Sequence, residues 1–134
     1  EYIEGVPLRE RRPENAGIFF ERFLELLQRL HAAGVAHVDL KKKDNILIVN
    51  GETPYLVDFG VAVIRKPGWW PVNRYLFVLG KRFDLNAWVK HKYRKDYGRV
   101  SAEDRIHLDR SWIETWAHKA KYAYKKFKKR RHNR

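Results

Sequence analysis

The sequence predicts a mainly α chain of the α+β class, with helices arranged around one small two-stranded β element. Three features point there. Between Glu14 and Ala33 apolar residues recur at intervals of three and four. Two short apolar runs, "ILIV" at 46–49 and "PYLVDF" at 54–59, flank the turn-forming "NGETP". Helical spacing returns beyond about residue 72. At 134 residues the chain has room for one ordinary domain with a core.

The first helix carries Ile18, Phe19, Phe23, Leu26, Leu27 and Leu30 on its apolar stripe, with Asn15 as N-cap and Gly34 as stop signal. A loop from Gly34 to Asn45 then joins helix to strand. After Gly60, Pro67, Gly68 and Pro71 in "RKPGWWPVNR" break regular structure, so an irregular loop is expected, then helical material from about Val72 to Gly80. A separate helix is expected from Asp84, with Leu85, Trp88, Val89 and Tyr93 on one side. Ser101 followed three residues later by Asp104 resembles a capping box. It opens a helical region through Ile106, Trp112, Ile113, Trp116, Ala120, Tyr124 and Phe127.

Composition narrows the function classes. A content of 44% hydrophobic residues is too apolar for a disordered chain. Cysteine is absent, which excludes disulfides and thiolate metal sites and fits the cytoplasm most simply. No run approaches the roughly 18–20 apolar residues of a transmembrane helix, and no signal pattern opens the chain. The net charge is +13, concentrated in "KAKYAYKKFKKRRHNR", which holds no acid. Such a balance calls for an anionic partner: nucleic acid, an acidic membrane surface or a phosphorylated substrate. The chain opens at Glu1 and contains no Met, so it reads as a fragment.

The chemistry concentrates in "AHVDLKKKDNILIVNGETPYLVDFG", residues 36–60, where Asp39, Asn45 and Asp58 stand at the ends of apolar strands. A carboxylate is costly there unless it holds something charged. The order helix, "HVDLKKKDN", strand, turn, strand, "DFG" resembles the C-terminal lobe of the protein-kinase-like superfamily, whose catalytic loop reads H-R-D-L-x-x-x-N and whose metal motif is D-F-G. "EYIEG" at the start resembles the hinge between the two kinase lobes. The division implied is a hinge-like segment at 1–12 and a C-lobe at 13–134 ending in a basic helical tail from about 112, with the N-lobe absent from this chain.

That resemblance implies an ATP- and magnesium-dependent phosphotransferase. Asp39 would orient the acceptor hydroxyl and Lys41 would sit near the transferred phosphate. Asn45 and Asp58 would hold magnesium, with Asp44 as the alternative to Asn45, and Glu1, Tyr2 and Ile3 would contact the nucleotide as the hinge. His37 would tie the loop to the backbone near Asp58. Phosphoryl transfer is mainly positioning plus electrostatic stabilisation, and magnesium prefers hard oxygen ligands, so these residue types suit the task.

The pattern departs from the family in several places. The interval from Asp39 to Asn45 is one residue longer than usual, Val38 replaces the Arg, and neither an A-P-E nor a glycine-rich GxGxxG occurs. Regulation by loop phosphorylation is therefore not expected. With "PYLVDFG" and "FDLNAWVKHKYRKDY", these departures are similar to small bacterial kinase-like proteins related to lipopolysaccharide core sugar kinases and, more distantly, RIO kinases. The acceptor implied is a core-sugar hydroxyl, with a protein serine as the alternative, and the place implied is the cytoplasm at the inner membrane. A non-catalytic pseudokinase module and a basic RNA-associated protein are the competing classes. Trp69 and Trp70 are expected to pack on the lobe, with contact to an anionic membrane as the competing expectation.

Overall fold

A computed structural model describes residues 2–108; the expected basic tail lies outside the described residues. In chain order its elements are β1 (Val6–Pro7), α1 (Ala16–Ala32), β2 (Val35–Ala36), a 3-10 turn at Lys43–Asn45, β3 (Ile46–Val49), β4 (Thr53–Leu56), β5 (Val63–Ile64), α2 (Pro71–Lys92), a 3-10 turn at Tyr97–Arg99, and α3 (Ala102–Arg105). The fold is α+β, as the sequence predicts.

Helix α1 begins where expected. The Asn15 side-chain oxygen accepts from the Ile18 N–H at 3.1 Å, and the helix ends before Gly34, whose φ of +83° a glycine adopts without strain. Its buried stripe is Phe19, Phe20, Phe23 and Leu27. Ile18, expected inside, is exposed and Phe20 takes a core place instead. Facing them from α2 are Ala87, Trp88 and Val89, with Leu40 and Ile46 closing the core between loop and sheet. The Trp88 indole N–H donates to the Phe20 carbonyl at 2.8 Å, so its one polar atom is satisfied inside. Each such buried side chain contributes on the order of 1.5–3 kcal/mol.

The β element is larger than expected. Strands β3 and β4 pair antiparallel, Ile46 with Leu56 through Val49 with Thr53. Asn50 and Gly51 turn the chain between them, both at positive φ as an Asn-Gly turn requires. The hinge-like segment adds β1 to the free edge of β3, Val6 opposite Ile48. A second ladder joins β2 to β5, Val35 opposite Ile64. Two-residue strands carry no readable alternation, and Pro7 suits only an edge, so the sequence gives no sign of them.

Helix α2 is the main correction. A break near Gly80 and a new helix at Asp84 are expected, yet one helix runs from Pro71 to Lys92. Gly80 is there for space. A Cβ at this position would meet the Ala36 Cβ at 2.8 Å and Val38 Cγ2 at 3.0 Å, so the helix passes directly against the loop that carries Asp39. The capping contact at Ser101 forms as expected, its hydroxyl accepting from the Asp104 N–H at 3.2 Å.

Candidate active site

The loop from His37 to Asn45 is built on one buried carboxylate. Asp84, fully buried in the middle of α2, accepts from the backbone N–H of His37 at 2.8 Å and of Val38 at 2.8 Å, and His31 Nε2 lies 2.9 Å from the same carboxylate. These bonds fix a backbone that would otherwise relax. Val38 has φ of +74°, a left-handed conformation that a β-branched residue adopts only when its surroundings impose it. The side chain of Asp84 therefore holds Asp39 in place by way of the two residues before it.

Three further contacts hold the same part of the loop. His37 is fully buried, and its Nε2–H donates to the Val57 carbonyl at 2.8 Å, beside Asp58, as expected of a structural histidine. The Phe59 ring packs against His37 at a tilt of 54°, with centroids 4.6 Å apart. His91, on the C-terminal part of α2, donates its Nε2–H to the Leu40 carbonyl at 2.7 Å. Burial, with Lys90, Lys43 and Lys95 nearby, drives its pKa down to about 4 against the opposing pull of that carbonyl, so the imidazole is neutral at pH 7.

Asn45 contacts Asp39 across this loop, and the Val57 N–H, next to Asp58, donates to the Asn45 carbonyl at 3.0 Å. The Asn45 side-chain N–H donates to the Asp39 carbonyl at 2.9 Å and reaches the Asp39 carboxylate at 3.3 Å, which leaves the amide oxygen for another partner. Asn45 is buried, whereas Asp44 is turned outward to Arg9 at 3.1 Å. The cation on Asp39 is Lys42, at 2.7 Å; Lys41 is exposed on the same loop. The bond to Asp39 and its charge, with added attraction from Asp58 and Asp44, raise the Lys42 pKa. Three carboxylates thus act on one ammonium. Asp58 has φ of +61° and accepts a long 3.4 Å contact from the Gly60 N–H, so its carboxylate stays exposed.

Of the hinge residues, Tyr2 is exposed, Ile3 is half-buried and Glu1 lies outside the described residues. Among the described residues no cluster of three His, Cys, Asp or Glu side chains gathers as a metal site. Asp58, Asn45 and Asp39 carry the oxygen atoms that could hold a hard cation, with water and phosphate oxygens completing its shell.

Sequence reasoning missed Asp84, His31 and Lys42. Asp84 was open to detection: Phe77, Gly80, Asp84, Trp88 and His91 share a helical face, and a carboxylate on an apolar stripe needs a buried partner. Its reading as a helix start concealed that.

A helix, a pinned Asp loop, a strand pair and an Asp-Phe-Gly follow one another here, and over about half its length the chain is similar to kinase-like proteins. No family model matches the chain. It is 38% identical over 65 residues, 46% of its length, to the serine/threonine-protein kinase D of a Synechocystis species. It is 40% identical over 67 residues, 49% of its length, to a probable bifunctional tRNA threonylcarbamoyladenosine biosynthesis protein of Methanosarcina acetivorans, and 43% identical over 67 residues to the protein of that description from Methanosarcina barkeri. The chain spans only 11–13% of the length of these curated relatives. No described helix is long and apolar enough to cross a membrane.

Proposed function

We propose that this chain supplies the acceptor- and metal-binding half of an ATP-dependent phosphotransferase site. The observation that carries the reading is that Asp39 is bonded by both Lys42 and the Asn45 amide on a loop fixed by a buried carboxylate. Asp39 accepts the hydrogen bond of an acceptor hydroxyl and orients it for attack. Lys42, within ion-pair reach of Asp39, and Lys41 beside it stabilise the charge of the moving phosphoryl group. Asp58 and the amide oxygen of Asn45 hold magnesium; Asp44, committed to Arg9, suits that role less well. Bound magnesium and ATP would supply charge neutralisation and the phosphoryl group itself. The hinge-like residues Glu1, Tyr2 and Ile3 would contact the nucleotide, and an N-lobe, upstream or in another chain, would cover the phosphates.

The likeness to a serine/threonine kinase supports a hydroxyl acceptor. A protein serine and a lipopolysaccharide core sugar are its two forms, in the cytoplasm or at the inner face of a membrane. The test is phosphate transfer from labelled ATP by the chain joined to its covering lobe. Asp39→Asn and Asp58→Asn should each lower the rate by about 10²–10⁴-fold. Magnesium titration of the chain alone, followed by NMR, should show shifts at Asn45 that Asp58→Asn abolishes. Unchanged transfer in the double variant would end the enzymatic reading and leave a non-catalytic module.

A further inference from the structure

Behind the loop that carries Asp39 lies a cleft of about 370 Å³. Its floor is apolar, from Leu8, Ala16 and Phe20, and its walls are cationic: Arg9, Arg11, Arg12, Lys43 and Arg94, with Glu10 as the one acid. Arg9 and Arg11 are already paired, with Asp44 at 3.1 Å and Glu14 at 3.3 Å. Arg12, Lys43 and Arg94 have no carboxylate partner among the described residues. Arg12 and Arg94 also line an adjoining basic hollow with Lys92, Tyr93 and Arg99. Three unneutralised cations around one concavity repel one another, an arrangement that an anion would relieve.

Two further observations mark the cleft as more than a solvated face. Arg94 has φ of +51° and Lys95 φ of +67°, so the end of α2 places two long cationic residues in a conformation that favours glycine. His91, 6% exposed, also lines the cleft; its Nε2–H is committed to the Leu40 carbonyl, and its Nδ1 has no hydrogen-bond partner. That atom is buried, so the imidazole backs the cleft as a neutral, half-satisfied ring. Leu40 follows Asp39 directly, and Lys43 opens the turn that ends at Asn45, so cleft and candidate active site share one loop.

We infer that this cleft binds a phosphate group carried by the acceptor, so that the molecule phosphorylated at Asp39 is itself already a phosphomonoester. The inference rests on the phosphotransferase reading for the word acceptor, but the site stands on its own geometry. Arg12 and Arg94 grip the phosphate oxygens, and Lys43 adds charge from the loop side. A bound phosphate there fixes the acceptor relative to the loop and leaves its free hydroxyl toward Asp39.

The test needs neither ATP nor magnesium, so its result is separate from that of the transfer assay. Inorganic phosphate is titrated into the full chain and followed by NMR at His91 and Lys43. Arg12→Ala and Arg94→Gly should each weaken binding by about tenfold, as expected for loss of one charge-assisted contact. Arg94→Gly also relieves the positive φ, so the variant stays folded and its lost affinity cannot be attributed to unfolding. Arg74→Ala, a distant exposed cation on α2, should leave binding unchanged. Absent binding, or equal weakening by Arg74→Ala, would overturn the site. So would a single-stranded oligonucleotide that binds undisplaced by saturating phosphate and insensitive to both cleft variants, since the anion contacts would then lie elsewhere.

Discussion

The two halves of α2 have one backbone geometry and opposite surroundings. From Asp84 to His91 nearly every side chain is buried, two of them titratable and each bonded to the loop that carries Asp39. From Pro71 to Val78 most are exposed, including Val72, Tyr75, Leu76 and Val78. The difference teaches that this helix is a strut for the loop before it is a core element. Its polar residues go inside where backbone N–H and C=O groups of the loop need a partner, while apolar ones remain outside where the described residues offer nothing to cover them. Substitutions along its length should grade from severe to neutral according to that division.

The largest effect is expected at Asp84. Replacing it with Ala leaves the N–H groups of His37 and Val38 buried without an acceptor and removes the constraint on a strained Val38. The cost should be about 3–5 kcal/mol, enough to unfold a marginal domain. Urea denaturation of Asp84→Ala and Asp84→Asn would measure it, and Asn, which keeps one acceptor oxygen, should lose less. Equal, small losses would mean that the loop holds itself.

His91 comes next and is read by pH. Its folded pKa, about 4, lies below its ordinary value, so the unfolded chain binds the proton more readily. The stability linked to neutral His91 is complete above about pH 6.5 and falls as pH drops from there toward 4, by up to about 3 kcal/mol. Asp104 adds to the loss at lower pH still. Burial pushes its carboxyl up, but hydrogen bonds from Lys92, Tyr93 and Ser101 prevail and hold it below the usual range. His91→Gln, which keeps a donor for the Leu40 carbonyl, should flatten the profile between pH 6.5 and 4. A profile unchanged by this variant would place the acid sensitivity elsewhere.

Gly80 lies between the two halves and separates propensity from packing. Alanine is the better helix former by about 1 kcal/mol. Its Cβ, however, would press on Ala36 and Val38, and the Ala36 methyl has no rotamer through which to yield. Gly80→Ala should therefore destabilise the chain by about 1–3 kcal/mol, measured by thermal melting. A stabilising result would show that helix and loop are free to separate.

How far the molecule was legible in its sequence follows from the same division. Helix α1, the β3–β4 hairpin and the Ser101 cap rest on local signals, an amphipathic period, an Asn-Gly turn and capping side chains, and all three were readable. The places of Asn45 before β3 and Asp58 just after β4 were readable from motif order, whereas Asp39 lies within the loop between β2 and β3. Strands β1, β2 and β5 were not, because two residues hold no period and their partners are distant in the chain. Continuity of α2 through Gly80 and Asp84 was hidden for a related reason. Both residues look like breaks locally, and only the loop packed against them explains why glycine and a carboxylate belong inside. The pairing of Lys42 with Asp39 depends on how a loop of unusual length coils, which residue types do not specify.

The smallest effect is expected just before α2, at the tryptophans. Packing on the lobe was the expectation, but Trp69 is 81% exposed and Trp70 56%, the latter with Lys66 5.5 Å from its ring centroid. Pro67 and Pro71 stiffen the loop, and the Asn73 side chain fixes its base by accepting from the Lys66 N–H at 2.7 Å and donating to the Ile64 carbonyl at 2.9 Å. Neither indole takes part in those bonds. Trp69→Ser should therefore change stability by less than about 0.5 kcal/mol in denaturant titration, because little apolar area returns to water when the residue is already there. Its effect should appear, if the exposed half of α2 meets an anionic bilayer, as lost retention on vesicles of anionic against neutral lipid. A large stability loss instead would mean that these rings are covered in solution, and the contrast between the two halves of α2 would then narrow to the residues beyond Gly80.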